Sequence, residues 1–201
     1  DVIIGTAIAS IVLRTGIFGR KALDYLATAA LAVPGVVLGI GYLRTFHQID
    51  VPFTGEPMAS WWVIIALALM IRRLPYAVRA CTAALQQVSI ALEEAAESLG
   101  ATKRRTIQKV VIPLMTGGIL AGFVTSFATA AVELSATIML VSSNNDAPLA
   151  YGIYLFMQAP SGRGAGAALG IVAVIVVALG PIASQIIIER EKKLKASSDA
   201  H

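Results

Sequence analysis

The sequence predicts an all-α integral membrane protein, and three observations carry that prediction. Of its 201 residues, 57% are hydrophobic and 14% charged, whereas a soluble domain of this size carries about 25% charged residues. The apolar residues also fall in blocks rather than in the stripes of a surface helix or strand. Finally, no stretch reads as a strand, and an open sheet could not satisfy its backbone groups in lipid. The single cysteine, Cys81, excludes an internal disulfide and a cysteine-based metal cluster. Its expected state is a buried, inert thiol. The net charge of +4 does not imply a nucleic-acid partner. In a membrane chain the side on which the charges fall matters more than their sum.

The first apolar run, "DVIIGTAIASIVL", ends at Arg14 and is shorter than the roughly 20 residues of a spanning helix. Asp1 is therefore expected to lie in or just before a helix of a longer parent chain, with a genuinely short first helix as the competing reading. A polar joint, "RTGIFGRKALDY", leads to a second apolar segment from about Leu26 to Leu43 that contains Pro34. "RTFHQIDVPFTGEPMAS" is rich in turn formers and reads as a loop. The third segment runs from Trp61 to about Ile71 and is expected to continue as helix through "RRLPYAVRACTAALQQV". A fourth covers Ile112 to Val141, and a second loop holds a short helix near Leu149 to Met157. The last segment runs from about Ala165 to Ile188, before the charged tail. Glycine pairs four residues apart (Gly35 with Gly39, Gly118 with Gly122, Gly166 with Gly170) predict helices whose backbones approach closely.

If the segments alternate across a bilayer, all Lys and Arg except Arg44 and Arg163 fall on one side. The positive-inside rule makes that side cytoplasmic, together with the C-terminus. Trp61 and Trp62 then lie at the outer interface, where indoles prefer to sit.

The most charged stretch, "EEAAESLGATKRRTIQKVVIPL", separates the third and fourth segments. Ser89 is a plausible N-cap, and Glu93 and Glu94 in the early turns suit the helix dipole. Gly100 is a natural left-handed C′ residue, Thr102 can cap a second helix, and Pro113 marks its passage into the membrane. An acidic first half with two small alanines differs from a lipid-surface helix, which sets basic residues against bulky apolar ones. It suits a knob inserted into a groove on another protein, with Glu94 offering a carboxylate and Leu99 and Ala101 apolar contact.

Glu94-Ala95-Ala96, then Gly100, then Val110, Ile112 and Pro113 resemble the EAA loop of binding-protein-dependent ABC importer permeases. The family pattern is E-A-A, three residues, G, nine residues, then I-x-L-P. Val110 and Ile112 are conservative departures from it. "RRLPYAVRA", "LAVPGVVLGIGYL" and "ELSAT" are similar to the same family, in its ferric iron, 2-aminoethylphosphonate, thiamine and polyamine subgroup. The resemblance implies a MetI-like helical bundle, one permease domain over residues 1–201, with a cytoplasmic coupling loop at residues 89–113. It implies that Glu94, Ala95, Ala96, Ser98, Leu99, Gly100 and Ala101 meet an ATP-binding cassette subunit dimer. The other implied partners are a second permease half (fused or homodimeric), an extracytoplasmic substrate-binding protein and the lipid bilayer. ATP and Mg belong to the ATPase, and none is expected on this chain. The sequence agrees with that division: it lacks G-x-x-x-x-G-K-[ST], and "GIFGRKA" has the wrong spacing.

Glu133 lies inside the fourth apolar segment, where an ionisable group costs at least ~2.5 kcal/mol on insertion scales and marks a functional site by default. With Ser135 and Thr137 it is expected to face the translocation pathway or the seam with the second half. Pairing with a neighbouring helix is the competing role. A carboxylate suits a cation or an amine-bearing cargo, although one carboxylate is not a metal site. The subgroup resemblance implies ferric iron as the first expected cargo and 2-aminoethylphosphonate as the next. A self-sufficient secondary transporter or channel is the alternative class. It would need paired discontinuous helices with intramembrane charges and no elaborate docking loop. No metal site and no catalytic constellation is read within the spans.

Overall fold

The computed structural model describes residues 1–52 and 54–198. Phe53 of the first loop and residues 199–201 of the tail lie outside the described residues. The architecture is helical, with no strand among the described residues beyond an isolated bridge between Asp50 and Pro57. The elements are α1 (Val2–Arg14), α2 (Arg20–Ala29), α3 (Gly35–Phe46), α4 (Trp62–Gln87), α5 (Ile90–Ser98), α6 (Lys103–Thr106), α7 (Ile112–Ala131), α8 (Thr137–Leu140), α9 (Leu149–Gln158) and α10 (Arg163–Ser198). A π-helical turn, Ile107–Val111, joins α6 to α7. Pro113 has no N–H for the carbonyl four residues back, and its ring crowds that carbonyl. A locally widened ladder just before it is the kind of relief a π turn provides.

Among the described residues, two helical stretches are long and apolar enough to cross a membrane: Lys103–Ala131 with 29 residues and Pro160–Arg190 with 31. α4 has 26 residues and carries Arg72 and Arg73 within its length. The helices α1, α3 and α9 are apolar but shorter.

The described residues divide into two compact units, with 1–28, 74–126 and 181–198 in one and 29–73 and 127–180 in the other. In the first unit the core is Ala9, Cys81, Leu85, Val88, Val111 and Met115, with Cys81 and Met115 fully buried. The inert-thiol expectation for Cys81 agrees with that position. Close approach of α7 to α4 depends on glycine: a Cβ on Gly118 would overlap the Ala84 methyl, and one on Gly122 would lie 3.1 Å from the Ala80 Cβ. In the second unit Ile64, Ile65, Ala68 and Leu140 form the core, with Tyr42, Phe46 and Met58 packed on it. Here α3 approaches α8, and a Cβ on Gly39 would lie 2.8 Å from the Ala136 carbonyl oxygen. Two of the three glycine pairs thus pack as expected. In the third, Gly166 meets Met157 and Gly170 faces open space.

Two of the apolar segments are not single helices. The stretch from Leu26 to Leu43 is interrupted by a turn before Pro34, and α2 begins in what reads as the polar joint. Pro34 disfavours helix at the preceding residue, which splits the segment. The stretch from Ile112 to Val141 is unwound between Ala131 and Thr137, where polar side chains compete for the backbone.

Neighbouring glycines in α7 predict opposite outcomes. Gly118→Ala should cost about 1–3 kcal/mol through overpacking, and Gly117→Ala, with nothing within 4 Å of its Cβ, should leave stability unchanged or raised. Thermal unfolding of the purified protein in detergent reads both.

Candidate coupling helix and ion cluster

Helix α5 begins where its sequence says it should. Ser89 has extended backbone (φ −64, ψ 133), and its hydroxyl accepts from the Ala91 amide at 3.3 Å. The helix ends in a Schellman motif: Gly100 N–H donates to Glu97 O at 2.9 Å and Ala101 N–H to Ala96 O at 3.1 Å. Gly100 takes φ +87, a conformation other residues resist. Thr102 then caps α6, its hydroxyl accepting from the Arg105 amide at 3.4 Å.

No residue of α5 is buried. Glu94, Ala95, Ser98 and Gly100 are exposed, Ala96 and Ala101 are half-buried, and Leu99 is 90% exposed. A bulky apolar side chain at the tip of a doubly capped, solvent-facing helix is what a docking knob requires. Glu93 differs from its neighbour: its carboxylate receives Arg14 Nε at 2.6 Å, and both side chains are 19% exposed. The helix-dipole role assigned to Glu93 from sequence is therefore joined by a specific partner on α1.

Glu133 sits in the unwound stretch after α7 and is 5% exposed. Its Oε2 receives Arg72 Nε at 3.2 Å and the guanidinium of Arg73. Its Oε1 receives the Ser135 hydroxyl and, at 3.2 Å, the Ala136 amide. Thr137 Oγ1 donates back to the Glu133 carbonyl at 2.9 Å and to Leu134 O at 3.1 Å. Arg72 also donates through Nη1 to Val33 O at 2.9 Å, at the turn before α3. One ion cluster thereby stitches both helix interruptions of this unit. Buried charges persist only when paired and hydrogen-bonded in this way.

The expected trio of Glu133, Ser135 and Thr137 is thus brought together. Arg72 and Arg73 were missed, because the charge count assigns them to the cytoplasmic rim. An arginine pair inside an apolar helix was the available signal. Their engagement also alters the expected chemistry: both oxygens of Glu133 are already committed, which removes the support it gave to a cationic cargo.

The family model for the binding-protein-dependent transport system inner membrane component matches residues 1–193. The chain belongs to that family. It is an ABC importer permease, and the all-helical architecture is the permease fold. Among its relatives is the ferric transport system permease protein FbpB of Actinobacillus pleuropneumoniae, 35% identical over 147 residues, covering 73% of this chain and 21% of that protein. The molybdenum transport system permease protein ModB of Escherichia coli is 30% identical over 191 residues, covering 90% of this chain and 82% of that one. The chain thus spans about a fifth of the ferric permease's length and most of the molybdenum one's. Among solved structures, a chain of a bacterial ABC transporter involved in the import of the acidic polysaccharide alginate matches with TM-score 0.71 at 19% identity, covering 91% of this chain and 72% of that one. The MetNI methionine ABC transporter matches with TM-score 0.70 at 15% identity, covering 94% and 85%. At such identities these two show the permease fold alone.

For this permease, Glu133→Gln should leave two guanidiniums facing a neutral amide and cost about 3–5 kcal/mol, the range for breaking a buried pair. Arg72→Gln should cost less, since Arg72 is 18% exposed and Arg73 keeps the carboxylate company. Melting temperatures of the variants in detergent check the ranking.

Proposed function

We propose that this chain is the transmembrane part of an ATP-driven importer, forming the translocation pathway with a second permease half and taking its motion from a separate ATPase. The observation that carries this reading is α5, held at both ends by caps yet burying none of its own residues. Glu94, Ala95, Ala96, Ser98, Leu99, Gly100 and Ala101 form the docking surface. Leu99 enters an apolar hollow on the ATP-binding subunit, and Glu94 meets a basic group at its rim. ATP and Mg are bound by that subunit. The docking loop lies in the cytoplasm, on the basic side of the membrane, and an extracytoplasmic binding protein delivers cargo to the opposite face.

Glu133, Ser135 and Thr137 belong in this reading to the seam beside the pathway. Glu133 acts there as the counter-ion that holds Arg72 and Arg73, and not as a cargo ligand. Ferric iron is the proposed cargo, supported by the 35% identity to the ferric permease. A second reading, a small oxyanion, is favoured by the cluster itself, in which two arginines face one carboxylate. The relatives named for molybdenum and sulfate transport point the same way.

Leu99→Cys in the full-length permease should cross-link to its co-expressed ATPase and react with a membrane-impermeant maleimide only from the cytoplasmic side. Labelling from outside, or no ATPase adduct, contradicts the docking reading. Uptake by proteoliposomes should be competed by the true cargo alone when ferric iron, molybdate and sulfate are offered in turn.

A further inference from the structure

Arg14 ends α1, and its guanidinium reaches three oxygens at once. Nε donates to Glu93 Oε1 at 2.6 Å, and Nη2 donates to the carbonyls of Leu85 at 3.1 Å and Val88 at 2.6 Å. Leu85 lies in the last turn of α4, and Val88 lies just past its end. The last carbonyls of a helix lack the usual N–H four residues on. Leu85 O accepts the Val88 N–H at 3.2 Å with Arg14 as a second, charged donor, and Val88 O accepts from Arg14. A guanidinium suits such a place, because its planar fork serves several acceptors in one orientation and stays charged. Three elements therefore meet on one side chain: the end of α1, the end of α4 and the first turn of α5.

Two adjacent glutamates divide their work around this junction. Successive helical residues point about 100° apart, given 3.6 residues per turn. Glu93 turns inward to Arg14, and Glu94 turns out to solvent. No residue of α5 is fully buried, and the helix rests on α6 and the π turn Ile107–Val111. The charged tie through Glu93 adds a direct link from α5 to α1.

We propose that Arg14 is a positioning residue for the docking helix, a clamp that makes α5 and the cytoplasmic ends of α1 and α4 move as one body. This rests on the docking reading above. When the ATPase displaces α5, the clamp passes the displacement to two helices at once, and without it the docking helix swivels while the helices behind it lag. Glu93 is the separable half of the clamp, since its removal leaves the Leu85 and Val88 carbonyls still capped by Arg14.

The test uses the full-length permease with its ATPase and binding protein in proteoliposomes, measuring cargo transported per ATP hydrolysed. Glu93→Gln should lower that ratio about tenfold, as loss of a charge-assisted hydrogen bond can, and Glu93→Asp should recover part of it. Arg14→Gln combined with Glu93→Gln should be no worse than the poorer single variant, because both remove one shared interaction. An unchanged ratio in Glu93→Gln, or single-variant losses that multiply in the double variant, overturns the clamp. If Arg14→Gln fails to assemble, the Glu93 pair of variants decides alone. Cross-linking through Leu99→Cys in the same preparations separates the two claims: adducts retained with the ratio unchanged sink only the clamp. Absent adducts in the otherwise unaltered protein sink the docking reading itself.

Discussion

A polar group withdrawn from water must find its partner inside the protein, and in this chain arginines meet that demand where helices stop. Arg72 reaches the Val33 carbonyl before α3 and the Glu133 carboxylate after α7. Arg14 reaches the carbonyls of Leu85 and Val88 where α4 ends. An apolar environment strengthens such interactions and makes each missing one expensive. At the break that Pro34 imposes and at the one beside Glu133, Arg72 supplies a donor.

The break after α7 has a physical logic of its own. Glu133 accepts from the Ala136 amide three residues ahead, and Thr137 donates to the Glu133 carbonyl four residues behind. Together they satisfy the Ala136 amide and the Glu133 carbonyl where the chain leaves the α conformation. Gly35 permits this packing, because a Cβ there would run into the Ser135 side chain and lie 3.0 Å from Arg72 Cζ. Local unwinding, ion pairing and close backbone approach are here one feature seen from three sides.

Much of the α5–α6 turn was legible because its signals are local. Ser89, Gly100 and Thr102 act through bonds to residues two to three positions away, and spacing along the chain reports such bonds directly. The helical class, the long α4 and the short α9 were readable for the same reason. What escaped were contacts across large sequence separations. Glu133 is recognisable as a buried charge, but nothing in its neighbourhood points back to Arg72 and Arg73, some sixty residues earlier. Arg14 and Glu93, 79 residues apart, each had a sufficient local explanation as a rim cation and a dipole partner. The interruptions at Pro34 and Glu133 were hidden by hydropathy, which averages over a break when both flanks are apolar.

The central claim is that α5 and its Gly100 turn are the surface through which a separate ATPase acts on this permease. Hydrogen–deuterium exchange of the full-length permease, with and without its bound ATPase, tests it most directly. Amides across residues 90–101 should gain protection when the ATPase is present, because a capped but solvent-facing helix becomes covered. Exchange there that stays the same while protection appears elsewhere on the permease would contradict the account.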